Sequence, residues 1–129
     1  MRGYIFSRSF FGERVPQHIQ NIILKDYCDK NNFEFLLSST EYIKDNCHIM
    51  LKQVLKEIKS IDGILAYSLF QLPIDNKERE KLYKKILSEK KEIHFCVENL
   101  KISNISEVEN IENIWQIKKI LPRCPKNLS

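Results

Sequence analysis

The sequence predicts a three-layer α/β fold, with a parallel sheet of about four strands and helices on both faces. Three observations carry the prediction. Short apolar runs of strand length alternate with longer stretches whose apolar residues recur at helical spacing. Four such alternations imply βαβ units, and right-handed crossovers then place helices on both sides of the sheet. Finally, only Gly3, Gly12 and Gly63 are glycines, and no repeat, low-complexity stretch or linker divides the chain. Residues 1–129 therefore read as a single α/β domain, long enough to bury a real core.

The elements follow in order. Gly3-Tyr4-Ile5-Phe6-Ser7 is a short aromatic strand, and a polar loop with Arg8, Ser9, Gly12 and Arg14 follows it. Pro16 suits the first turn of a helix, where its missing N–H costs nothing. Ile19, Ile22, Ile23, Tyr27 and Cys28 then predict an amphipathic helix over 16–31, ended by Asn31-Asn32. The run 33–37, FEFLL, is the second strand, and Ser38-Ser39-Thr40 reads as a loop.

Ile49, Met50, Val54, Leu55 and Ile58 put one apolar face on a helix over 46–59. Asp62-Gly63 turns into a third strand, Ile64-Leu65-Ala66-Tyr67. Asp75 or Asn76 caps a helix to about Ser88, with Leu82, Ile86 and Leu87 inward. Residues 92–97, EIHFCV, form the fourth strand. Ser106 and Glu109 have the spacing of a capping box and open a last helix over about 106–121, which Pro122 stops.

Composition excludes several classes. The net charge of +4 is too small to imply nucleic acid. No apolar run approaches the roughly 18 residues of a membrane span, and the N-terminus lacks a signal-peptide pattern. A cytoplasmic protein with no membrane partner is expected. Cys28, Cys47, Cys96 and Cys124 are then reduced thiols, with Cys28 and Cys96 in core patterns. His18, His48 and His94 are scattered, without HxH or HExxH spacing, so no metal site is expected. The absence of GxGxxG and Walker loops disfavours dinucleotide and triphosphate cofactors, and none is assigned. The lysines from Lys84 to Lys91 read as the solvated face of a helix.

In open parallel sheets ligands bind beyond the carboxyl ends of the strands. That rule selects the site candidates. Arg8 and Arg14 can clamp a phosphate or carboxylate, because guanidinium forks pair bidentately with such groups. Ser7 or Ser9 is a candidate nucleophile, or else satisfies loop backbone. Glu41 and Glu98 are candidate acid and base, or else surface charges or arginine partners. His18 can reach the same rim. Tyr67, Ser68, Gln71 and Asn99 complete the ligand-binding set. Leu69, Phe70 and Leu72 either line a pocket, form a dimer contact or fold back on the core. Trp115 is either core or an interface anchor of a homodimer.

Two family resemblances attach to these segments. Gly3-Tyr4-Ile5, the helix bearing Gln17 and Gln20, Ile64-Leu65-Ala66-Tyr67 and Phe95-Cys96-Val97-Glu98 resemble the catalytic domain of serine recombinases over about residues 2–100. This implies a resolvase-like, flavodoxin-like sheet. The family's Tyr-x-Arg-x-Ser pattern is Tyr4-Ile5-Phe6-Ser7-Arg8 here, so Phe6 replaces the arginine and Arg8 stands at the serine position. Its Asp-Arg-Leu-Gly-Arg pattern is Phe70-Gln71-Leu72-Pro73-Ile74, which lacks the arginines that stabilise a scissile phosphate. DNA strand exchange is not expected. With one helix predicted after residue 105, the family's DNA-binding module is not expected either.

The second resemblance spans the chain. The segments RGYIFSRSFFGERVPQHIQN, DYCDKNN, LLSSTEY, DGILAYSLFQLP, HFCVENL and IENIWQIKKILPRC are similar to the small sporadic carbohydrate cluster family. It implies a bacterial gene setting of surface-polysaccharide and sugar-nucleotide biosynthesis, and no particular reaction. Two functions are carried forward. One is a small protein that binds or processes an anionic sugar or sugar phosphate. The other is a non-catalytic partner of carbohydrate enzymes, with a degenerate DNA-binding resolvase relative third.

Overall fold

Residues 1–7, 14–42 and 48–120 are described by the computed structural model, with backbone alone for 118–120. Arg8, Ser9, Cys47 and Cys124 lie outside the described residues. The strands are β1 (Arg2–Phe6), β2 (Leu36–Glu41), β3 (Gly63–Ala66), β4 (Glu92–Phe95) and β5 (Leu100–Ile102). The helices are α1 (Gln17–Asn31), α2 (Ile49–Lys56), α3 (Asn76–Ser88) and α4 (Ile105–Ile120), with short 3-10 turns at Ile58–Ser60 and Leu69–Gln71. The sheet order is β2-β1-β3-β4-β5. The first four strands run parallel and β5 returns antiparallel against β4. The predicted three-layer α/β fold is correct, with five strands rather than four.

Each strand of the centre is apolar on both sides because both sides are covered. Tyr4 and Phe6 point to a large core shared with Ile64, Ala66, Ile93, Phe95 and residues of α2, α3 and α4. Ile5 and Leu65 point to the other face, where Leu24 and Cys28 of α1 meet them. The layers are unequal: α2, α3 and α4 pack on one face, and α1 alone on the other. Each fully buried Ile, Leu or Phe here contributes roughly 1.5–3 kcal/mol. Trp115 is fully buried, so the core reading holds. Gly3 lets α1 sit down on the sheet, since a Cβ there would collide with Ser38 Oγ and press on Leu24.

Several boundaries and faces differ from expectation. Ser38, Ser39 and Thr40 are not a loop; they belong to β2, in register with β1 through Tyr4↔Ser39 and Ile5↔Thr40. Only Leu36 and Leu37 of the predicted second strand lie in it. The buried stripe of α1 is Gln20, Leu24 and Cys28, while Ile19 and Ile22 are exposed. Leu51 and Val54 are the buried residues of α2, and Ile49 is exposed. The last helix starts at Ile105, so Ser106 is not its cap. Asn104 Oδ1 accepts the Glu107 N–H instead, and Glu107 accepts from Ser103 N–H and Oγ. As predicted, Asn32 closes α1, in a left-handed conformation, and Asp75 caps α3. Leu69 and Leu72 are buried, so that loop folds back on the core.

Candidate functional site

Strand order reverses between β1 and β3, and a crevice at the carboxyl ends of these strands is the usual ligand position. Here two glutamine amides fill it. Gln20 of α1 donates through Nε2 to the carbonyls of Phe6 (2.7 Å) and Val15 (2.8 Å). Its Oε1 accepts from Phe6 N–H (3.1 Å) and from Gln71 Nε2 (2.9 Å). That exhausts both donors and both lone pairs of the Gln20 amide. Gln71 Oε1 caps the Ser68 N–H, and its backbone carbonyl lies 3.0 Å from His48 Nε2. A carbonyl only accepts, so His48 carries its proton on Nε2. Gln20 and Gln71 are both fully buried.

The candidate carboxylates are also bound to backbone. Glu41, buried at the end of β2, accepts from the Tyr4 hydroxyl and from the Leu51 N–H, both at 2.9 Å. It thereby caps the first turn of α2 and benefits from the positive end of that helix. Glu98 accepts from Ser68 Oγ (2.8 Å) and the Leu69 N–H (2.9 Å), fixing the 3-10 turn after β3. β1 and β3 separate the β2 end that holds Glu41 from the β4 end that precedes Glu98, a gap of about 14 Å at ordinary strand spacing. Glu98 reaches back to the turn after β3, each carboxylate serves a backbone N–H, and no hydrogen bond joins the two among the described residues. Tyr67 is half-buried and packs against both cores. Asn99 is exposed in a left-handed turn (φ 53°) before β5, far along the sheet from β1.

Ser7 and Arg14 do come together. They line a pocket of about 450 Å³ with Val15, Pro16 and Gln17. Ser7 donates through both its N–H and its Oγ to the Glu41 carbonyl, each at 2.9 Å. No carboxylate touches Ser7 Oγ among the described residues. Arg14 is exposed and forms no ion pair among the described residues. The pocket meets the start of α1, which has no side-chain cap and no acidic residue in its first turn. Its first N–H groups lack intrahelical acceptors by geometry and attract negative charge. His18 is exposed in the same turn.

Other features were not readable beforehand. Arg79 is fully buried on α3, bidentate to Glu112 of α4 (2.8 and 2.9 Å) and 4.2 Å from the Trp115 ring. Nothing separates it in sequence from the exposed lysines of that helix. Burial pushes the Cys96 thiol up to about 12 and raises that of Cys28, so neither is a nucleophile at neutral pH. Among the described residues no cluster of three His, Cys, Asp or Glu could hold a metal, and no helix is long and apolar enough to cross a membrane.

The fold is that of a resolvase-like α/β domain. Two solved structures define the likeness. The N-terminal catalytic domain of TP901-1 integrase superposes with a TM-score of 0.66 at 16% identity, over 95% of this chain and 97% of that one. A resolvase family site-specific recombinase from Streptococcus pneumoniae gives a TM-score of 0.66 at 12% identity, over 95% and 91%. No protein-family model matches the chain, and no curated protein matches it. The likeness to the sporadic carbohydrate cluster family therefore rests on the sequence segments alone. Phe6 is buried and packs against Tyr4 and His48.

Proposed function

We propose that this domain binds an anionic sugar or sugar-phosphate intermediate at the carboxyl end of β1. The observation that carries the reading is the convergence of Arg14, Ser7 and the uncapped start of α1 on one pocket. An exposed cation and oriented amides suit a phosphate, and Ser7 Oγ, whose proton goes to the Glu41 carbonyl, is left to accept from a sugar hydroxyl. The sugar part comes from the resemblance to proteins of surface-polysaccharide gene clusters. Binding is favoured over catalysis, because the carboxylates of Glu41 and Glu98 already serve as backbone caps. The protein would then hold or deliver an intermediate for partner carbohydrate enzymes.

Calorimetric titration with glucose 1-phosphate tests the reading. Arg14→Ala should weaken binding by about 10–100-fold, the range of a lost charged hydrogen bond, with an unchanged melting temperature. Equal affinity of the variant would sink the proposal. A second reading is favoured by the fold likeness to recombinase domains: the same pocket takes a nucleic-acid phosphate. Such binding should weaken steeply with salt in a gel-shift titration, and a flat response removes it. Strand cleavage is not part of that reading, since Phe6 and Gln71 stand where phosphate-stabilising arginines would be needed.

A further inference from the structure

The single-helix layer leaves part of the sheet uncovered. α1 lies over β1 and β3, so the β4–β5 end of that face forms the floor of a second cavity of about 600 Å³. His94 of β4 sits in this floor with its side chain 5% exposed. Its Nδ1 lies 2.7 Å from the Tyr27 hydroxyl and its Nε2 lies 2.8 Å from Glu92 Oε1. A carboxylate only accepts, so Nε2 carries a proton, and in the neutral imidazole Nδ1 then accepts from Tyr27. The result is an ordered chain, Tyr27 to His94 to Glu92. The Tyr27 oxygen keeps lone pairs for one more donor, and hydrogen bonds in such a chain reinforce one another. Burial, followed by the nearby Cys96, raises the Tyr27 phenol above its ordinary value, which keeps it a hydroxyl. Phe33 packs edge-on to His94 with ring centroids 5.1 Å apart and adds an apolar wall.

The remaining lining fixes the ligand class. Asn31, Asn99 and Asn110 bring side-chain amides, each able to donate and accept. The charged groups of the lining are Lys101, Glu92 and Glu107, so the cavity has no excess of positive charge and no arginine. That balance disfavours phosphate. It suits a neutral ring that carries several hydroxyls and one apolar side.

We propose that this cavity binds a neutral pyranose, one hydroxyl of which donates to Tyr27 at the head of the Tyr27–His94–Glu92 chain. The site is spatially separate from the anion pocket, because it lies at the other end of a 15-residue helix, about 22 Å long.

The test is NMR titration of the full isotope-labelled chain with D-glucose and N-acetyl-D-glucosamine, and separately with inorganic phosphate. At least one sugar should shift the Asn99, Lys101 and Asn110 amides and the His94 imidazole nitrogens in the millimolar range. Tyr27→Phe and the exposed-site variant Asn110→Ala should each weaken binding severalfold, and Arg14→Ala should not. Silence of these signals with both sugars, or full affinity in both Tyr27→Phe and Asn110→Ala, would overturn the proposal. Phosphate should perturb only the Ser7–Arg14 end. Its failure to do so would count against the anion pocket and leave the sugar result standing.

Discussion

Gln71 Nε2 donates to Gln20 Oε1 across 2.9 Å, joining the turn after β3 to α1 directly over the point where strand order reverses. The bond turns a position normally open to ligand into part of the core. It also explains why the open anion pocket lies to one side, at Ser7 and Arg14.

Breaking this bond should be costly. Gln71→Leu leaves the Ser68 N–H and one Gln20 lone pair without partners in a buried site, and should destabilise by about 1–3 kcal/mol. Gln20→Leu also removes the bonds to the Phe6 N–H and to the Phe6 and Val15 carbonyls and should cost more. Urea denaturation of both single variants and the double variant measures the coupling, expected at about 0.5–3 kcal/mol. Strict additivity would mean that the two amides act independently.

Arg79 and Glu112 tie α3 to α4 from inside. Removing the carboxylate with Glu112→Ala leaves a fully buried guanidinium with the Pro73 and Ile74 carbonyls and Asn76 but no counter-charge, and should cost on the order of 3 kcal/mol, the lower end for a broken buried pair because Glu112 is partly exposed. The double change Arg79→Met with Glu112→Leu should recover only part of that loss: no charge is left buried, but the Pro73 and Ile74 carbonyls and the Tyr83 hydroxyl lose these partners. Denaturant midpoints for the three proteins decide the matter. A loss below about 1 kcal/mol in the single variant would show that solvent reaches Arg79.

Glu107 makes stability depend on acid. Its hydrogen bond from Ser103 Oγ, the largest influence, holds its carboxyl below the ordinary value. A group whose folded value is depressed stabilises the fold above its unfolded value and loses that contribution as pH falls through the folded one. Glu107→Gln should therefore be less stable than the parent at neutral pH, with the gap closing in acid below the ordinary carboxylate range. Melting curves across that range are the check, and a gap independent of pH would contradict it.

The fold class was legible because periodicity reports which faces are covered, and α3 and β4 follow it closely. The errors cluster where tertiary contacts overrule composition. Ser38-Ser39-Thr40 has loop chemistry, yet pairing with β1 makes it strand, and Ser38 Oγ bonds Asn21 of α1 (2.6 Å). Gln20 is not in the apolar stripe predicted for α1, yet four hydrogen bonds make its burial favourable while Ile22 remains outside. For the site, residue types after the strands were readable, but strand order was not. Glu41 and Glu98 looked like partners only because linear sequence does not say that two strands lie between them.

α1 stands alone on its face, and that gives it an unusual mechanical position. One rigid rod carries Pro16 and Gln17 at the anion pocket, Gln20 at the strand reversal and Tyr27 at the sugar cavity. If α1 tilts or slides as a body, all three places change together. If ligands at both ends favour a particular position of α1, each changes the affinity of the other, and reciprocity makes the two factors equal.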